Sequence, residues 1–423
     1  MRTKGETIGV VDFGSRDVRV LIARKEGETI AVTGHGTAPA RGCVSRGVVQ
    51  DLSAAESALG KALAEAEDRA HAHMSTLFCG INGTKVDSSI REGKHTLTHE
   101  RVDREDMKQA HENAATEAAE AGKRIVSSIS AQEWFVDGLR VANPLNIRGQ
   151  VLKTRVHLAQ LPSVIVDNLA ACVLSQHRRI EDMIFLPVAN ALGCLTPEDM
   201  ELGVAVLDLG HNTTGMALYR GRSILDTFVI PVGGNDIVND VAGGLSTSFL
   251  EAEELVLEYG VPDALIRTDG EAGPEGAPGR DVNPLIKLHH AVRSARDSVE
   301  RGALDRIIYL RAKEILTKMR QHLHKKDLMN NLVRGIVLTG GGSMLKNQVA
   351  LAESVFEVPC QVGLPENISV PKEIHTPEFV SAVGIAHHAF EFRKAVREKR
   401  IDSANTSPSG IRMVLDAIRQ LFF

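Results

Sequence analysis

Residues 203–219, GVAVLDLGHNTTGMALY, read as two buried strands joined by a tight polar turn, and no other stretch constrains the fold as strongly. The first apolar run, 204–209, carries a single carboxylate near its end, Asp208, and the apolar pattern resumes at Met216. Such a turn aims successive backbone N–H groups at an anion, and a carboxylate at the strand end can hold the water shell of a magnesium ion. Residues 8–22, IGVVDFGSRDVRVLI, repeat the plan with a strand ending in Asp12, a Gly14–Ser15 turn and a strand resuming at Val18. Two aspartate-tipped hairpins about 200 residues apart predict duplicated domains that face each other across one phosphate. A third piece, 335–345 (GIVLTGGGSML), predicts a strand, a triple glycine that lets backbone approach a ligand, and a helix start that favours negative charge.

The order of these pieces, with the loop of Gly340, Gly341, Gly342 and Ser343 and the segment SAVGI at 381–385, resembles the actin-like ATPase superfamily. Within it, the run Ser45, Arg46, Gly47, Val48 and Val49, the segment VLKTRVHL at 151–158 and an amphipathic tail resemble the FtsA family of bacterial cell-division proteins, from about residue 8 to 423. The resemblance implies an α/β, actin-like two-domain fold: ribonuclease-H-like halves facing a nucleotide cleft, an inserted subdomain IC and a C-terminal amphipathic helix. Its boundaries would be 1–82 and 161–190 for subdomain IA, 83–160 for IC, 191–230 and 303–375 for IIA, and 231–302 for IIB. A closing helix at 376–395 would return to IA, with a linker at 396–409 and the tail helix at 410–423.

The expected nucleotide site comprises Asp12, Gly14, Ser15, Arg16, Arg19, Asp208, Gly210, Asn212, Thr213, Gly233, Gly234 and the loop 340–343, with ATP as the cofactor. Asp12 and Asp208 would hold Mg2+ through its bound water. Actin-like relatives place a polar pair on the helix expected at 304–324, which assigns Arg311 and Glu314 to the adenosine; a salt-bridged surface pair is the other reading of the same spacing. Two departures from the family pattern argue for weak or absent hydrolysis. Asp17 stands where relatives carry a lysine, with Arg16 or Arg19 as substitutes, and an acid beside a polyphosphate is repelled. The second turn has His211 and Asn212 in place of glycines and Gly215 in place of its last acid.

The family resemblance also implies partners: the C-terminal peptide of the tubulin-like protein FtsZ on IIB, further copies of the chain in a filament, later divisome proteins on IC, and inner-membrane lipids. These place the chain on the cytoplasmic face of the inner membrane, at the division septum. In the tail, Ile411, Val414, Leu415, Ile418, Leu421 and Phe422 fall at offsets 0, 3, 4, 7, 10 and 11, one face of a helix closed by Phe423. Arg412, Asp416, Arg419 and Gln420 fall on the other side, and a helix of about 21 Å is too short for a bilayer core of about 30 Å, so it would lie in the interface with Arg412 and Arg419 at the lipid surface.

Composition narrows the alternatives. A net charge of −5 gives no support for nucleic-acid binding, and the early apolar stretch is broken by Asp12, Arg16, Asp17 and Arg19, which argues against a signal peptide. Five dispersed cysteines without a C-x-x-C pair argue against a disulfide framework or zinc site, and sixteen histidines include no H-E-x-x-H. Two other readings remain: a sugar- or acetate-kinase-like phosphotransferase, and an actin relative serving rod shape or pilus assembly. The terminal amphipathic segment and the polar insertion disfavour both.

Among local features, the alanine-rich stretch 53–71 predicts a helix capped by Ser53 with Glu56, and 103–122 a charged helix opened by Asp103.

Overall fold

The computed structural model describes residues 5–27, 29–40, 42–269, 284–288 and 297–404. The expected tail helix at 410–423 and most of the glycine-, proline- and acid-rich loop at 268–284 lie outside the described residues.

Two five-stranded sheets share one plan. The first runs Arg179–Phe185, Thr76–Ile81, Glu6–Phe13, Asp17–Glu26, Thr29–Pro39; the second runs Cys360–Val362, Ile336–Thr339, Val204–Leu209, Thr214–Arg220, Ser223–Ile230. In each, three sequential strands form an antiparallel meander and two later strands add in parallel. Asp12 lies opposite Arg19 in one sheet and Asp208 opposite Gly215 in the other, so the duplicated hairpins coincide in register as well as in order. All six residues of Val204–Leu209 and all four of Ile336–Thr339 are buried, as expected for central strands covered on both faces.

Helix packing explains the small residues. Leu52–Ala70 lays Ala55, Ala58, Leu59, Ala62, Leu63 and Ala66 on the first sheet. Its backbone comes so close that a Cβ on Gly36 would sit 2.0 Å from the Ala62 carbonyl oxygen. The helix starts before Ser53: Asp51 is the cap, accepting from the Ala54 N–H at 3.0 Å, because the backbone is extended at Asp51 and sets its carboxylate before the first turn. Between the lobes, the almost wholly buried Leu186–Cys194 packs on Val380–Ala404, and Ser381 donates to Asn190 Oδ1 at 2.7 Å.

The segment after Thr76–Ile81 folds as its own four-stranded sheet, in the order Asp87–Thr96, Val151–Pro162, Lys123–Val136, Leu139–Val141, with Arg104–Ala118 across it. Asp103 and Asp106 cap that helix reciprocally, and it ends at Ala118, four residues short of Gly122. This insertion leaves the first lobe in sequence yet touches the second. His157 shares a 2.9 Å hydrogen bond with Thr227, whose hydroxyl donates to Ser88 Oγ at 2.8 Å. Since Thr227 donates its proton to Ser88, it accepts from the Nε2–H of His157.

Among the described residues, no helix is long and apolar enough to cross a membrane, no three His, Cys, Asp or Glu side chains group as metal ligands, and all five cysteines are free.

Candidate functional site

The carboxyl ends of the two central strands face one cleft of about 720 Å3, the place where open α/β sheets bind ligands. At its floor lie Asp12 and Asp208, 4% and 9% exposed. Burial pushes the Asp208 carboxyl up to about 6 and the Asp12 charge pushes the same way, against the neighbouring Asn190 amide and the charge of Arg19. Burial raises Asp12 as well, with Arg19 opposing. Asp12 Oδ1 has no hydrogen-bond partner. Two hard oxygen donors short of positive charge, one with an orphaned atom, fit a hydrated magnesium ion.

Glycines shape the walls. Gly340 has φ +76°, and a Cβ there would fall 2.2 Å from Asp208 Oδ1; on Gly14 it would fall 2.6 Å from the Asp17 carbonyl oxygen. The Gly234 N–H donates to the Gly210 carbonyl at 2.9 Å, which seats the start of Gly234–Leu245 on the second hairpin turn. The expected helix start after the triple glycine is instead one 3-10 turn, Gly341–Met344, with the helix beginning only at Gln348. Three glycines favour tight turns over helix propagation.

The cleft brings together Asp12, Gly14, Ser15, Arg16, Arg19, Asp208, Gly210, Asn212, Thr213, Gly234 and Gly340 to Gly342. Gly233 sits behind the wall against Gly210 and His211, and the Ser343 hydroxyl turns back to the Gly340 carbonyl at 2.7 Å. Arg311 and Glu314 are placed elsewhere. They line a separate groove of about 430 Å3 with Asp240, to which Arg311 is paired at 2.6 Å, and Asn239 borders both spaces. The salt-bridged alternative is the arrangement found, with Arg311 and Glu314 also 2.6 Å apart.

Arg16 and Arg19 both carry acidic partners. Arg19 lies 3.3 Å from Asp17 and 3.6 Å from Glu378, and Arg16 lies 3.8 Å from both Asp17 and Glu253. Asp17 therefore consumes the positive charge beside it, and neither arginine is a simple replacement for a lysine. At Gly215, where relatives carry an acid, an added Cβ would meet the Pro187 ring at 3.4 Å.

Several cleft residues were not among the expected site residues, among them Ser45, Asn82, Phe249, Glu253, Val256 and Leu257. Phe249, Glu253 and Leu257 recur every four residues on Phe249–Tyr259, and Phe249 and Leu257 remain 67% and 52% exposed. That spacing was the available clue; the acidic content of the helix obscured it. Ser45 and Asn82 make contacts between the lobes: Asn212 Nδ2 donates to Ser45 Oγ at 3.1 Å, and Asn82 Nδ2 to Thr213 Oγ1 at 3.3 Å.

Residues 205–384 match the family described as Cell division protein FtsA, and residues 83–159 match the SHS2 domain inserted in FtsA. Cell division protein FtsA of Neisseria meningitidis serogroup B is 30% identical over 393 residues, covering 92% of this chain and 91% of that protein. The chain belongs to the FtsA family. The Pseudomonas aeruginosa FtsA is 27% identical, over 96% of this chain and 93% of its own length. Among solved structures, the PilM-PilN type IV pilus biogenesis complex aligns with a TM-score of 0.61 and 17% identity, over 91% of this chain and 98% of that one. MreB 5 of Spiroplasma citri bound to AMPPNP aligns at 0.52 and 12%, over 93% and 99%. The actin-like fold that the family resemblance implies is thus the fold of this FtsA-family chain.

Proposed function

We propose that this FtsA-family protein is an actin-like adaptor of cell division that binds ATP with Mg2+ between its lobes and hydrolyses it weakly or not at all. The observation that carries the nucleotide reading is the pair of buried, charge-deficient carboxylates, Asp12 and Asp208, at equivalent strand ends of a duplicated fold. The magnesium ion, when bound, neutralises phosphate charge and orients the phosphates. Asp12 and Asp208 hold its water shell, the turns at Gly14 and Gly210 present backbone, and Gly340 admits the ligand close to Asp208. The exposed apolar side chains of Phe249 and Leu257 offer surface for a base. Arg311 and Glu314 drop out of this reading, since their groove is walled by their own ion pairs.

Weak turnover follows from the cleft's acids. Glu253 and Glu378 are paired with arginines and position 215 is glycine, so the carboxylates left are those assigned to the metal. In this proposal the outer subdomain receives the FtsZ C-terminal peptide, the inserted sheet offers a surface to later divisome proteins, copies assemble into filaments, and residues 410–423 hold the assembly on inner-membrane lipids at the septum. The test is titration of the full chain with a fluorescent ATP analogue and Mg2+, alongside phosphate release. Micromolar binding with no turnover is expected, and absence of binding refutes the nucleotide reading. Removing residues 410–423 should abolish sedimentation with anionic vesicles; unchanged sedimentation refutes the anchor.

A further inference from the structure

The inserted sheet leaves the first lobe at a residue that already touches the second. Asn82, the last residue before the insertion, donates to Thr213 Oγ1 at 3.3 Å on the cleft side. Six residues on, Ser88 donates to the Thr227 carbonyl at 3.3 Å and accepts from the Thr227 hydroxyl at 2.8 Å. The returning strand, Val151–Pro162, adds the 2.9 Å bond from His157 to the same hydroxyl. Thr213 directly precedes, and Thr227 lies within, one antiparallel pair, Thr214–Arg220 with Ser223–Ile230. These contacts therefore form a single polar seam between the root of the insertion and one rigid piece of the second lobe. Asn82 is tied to the cleft on its own side too. A Cβ on Gly47 would fall 1.7 Å from the Asn82 carbonyl oxygen, so Asn82 moves with the loop whose Ser45 accepts from Asn212.

The seam is built to part. Ser88, Ala159 and Ser127 lie side by side across three strands, as do Ile90, His157 and Ile129, on the sheet face turned away from Arg104–Ala118. On that face Ser127 Oγ and His157 Nδ1 are buried with no hydrogen-bond partner among the described residues. Each orphaned atom offsets much of what one hydrogen bond of the seam contributes, so the docked arrangement is held by a small margin. The insertion also keeps apolar cores of its own on the helix side, around Val156 with Ala114 and Leu152 with Ala110, and these stay intact when it moves. Val126 and Leu161 at its base belong to the core of the first lobe, which makes that base the pivot. We infer that the insertion is a releasable clasp, and that its docking on Thr227 and the closure of the cleft are one equilibrium. Whatever draws the insertion off the second lobe loosens the cleft, and whatever holds the lobes together keeps the insertion down, by the reciprocity that any coupling obeys. The clasp needs no ligand in the cleft, so it stands apart from the nucleotide reading.

Ser88→Cys combined with Thr227→Cys in the full-length protein puts two thiols where oxygens 2.8 Å apart now meet, close enough for a disulfide, which peptide mapping verifies. Hydrogen exchange is then compared, without nucleotide, in the wild type and in the reduced and oxidised double variant. Exchange should be fastest in the reduced variant, about threefold or more above wild type, and slowest in the oxidised one, in residues 123–162 and in the cleft segments 42–47 and 210–214 alike. Ser88→Ala, a milder cut at the same seam, should accelerate both regions in the same proportion. A disulfide that slows the insertion and leaves the cleft segments unchanged overturns the coupling. Exchange in the insertion that the disulfide does not slow overturns the release, and thiols that fail to cross-link overturn the contact itself.

Discussion

Replacing Asp208 with asparagine should stabilise the nucleotide-free protein at neutral pH while abolishing its Mg2+-dependent nucleotide binding. A carboxyl raised from 3.8 to about 6 is ionised at pH 7.5 at a cost of about 3 kcal/mol relative to the unfolded chain. The sign follows from the direction of the shift. Below pH 3.8 the group is protonated in both states and costs nothing; the penalty grows as pH rises toward 6 and is constant above. At pH 5 about half of it remains. Asparagine keeps the shape, removes the charge facing Asp12, and should therefore unfold at higher denaturant than wild type at pH 7.5, with the gap shrinking toward pH 5. The comparison is made pairwise, without Mg2+ or nucleotide, so that titration elsewhere cancels. His157 illustrates why this matters: burial lowers it to about 4, so its contribution to stability falls as pH drops from 6.5, opposite in sense to that of Asp208. A variant less stable than wild type at pH 7.5, or a pH-independent gap, would refute the view that the two carboxylates are held together in wait for a cation.

Three further outcomes are expected. Gly340→Ala places a Cβ in a left-handed conformation 2.2 Å from Asp208 Oδ1, and strain with overpacking should cost about 2–5 kcal/mol in unfolding free energy and eliminate nucleotide binding. Thr227→Val leaves Ser88 and the buried His157 ring without their shared partner, so hydrogen exchange should accelerate in residues 83–160 at a cost of about 1–3 kcal/mol. Arg16→Ala breaks an ion pair with Glu253 at the cleft rim, where the arginine is 40% exposed; stability should change by less than about 1 kcal/mol, checked by urea unfolding.

The duplicated meanders were legible because each central strand is a short apolar run closed by one carboxylate, a pattern that depends on neighbours in sequence. Helix existence was legible for the same reason, whereas caps were not: Asp51 and Ser53 both precede the same apolar stripe, and only the backbone decides which oxygen meets the free N–H groups. The cleft lining was legible where the backbone turns define it and left open where side chains decide. Arg311 and Glu314, three apart on Arg301–Lys325, look identical in sequence whether they meet a ligand or each other. The apolar wall at Phe249 and Leu257 hid among glutamates.

What sequence could not supply at all is the relation between distant groups. Asp12 and Asp208 each read as one acid at a strand end; that both are buried together, with one oxygen unpartnered and the Asp208 proton held to about pH 6, is a property of the closed pair. Asp17 likewise read as a defect in phosphate binding, yet in the fold it sits within a network of Arg16, Arg19, Glu253 and Glu378 in which both cleft arginines face acids. On the proposed function, a nucleotide site built this way would gain its positive charge from the metal. Nucleotide affinity should therefore collapse on chelation of Mg2+ instead of weakening by degrees, and it should fall below about pH 6, where protonation of Asp208 removes the ion's partner. Tight binding in excess chelator would show that an arginine leaves its acid to meet the phosphates, and that the network around Asp17 is a reservoir of charge after all.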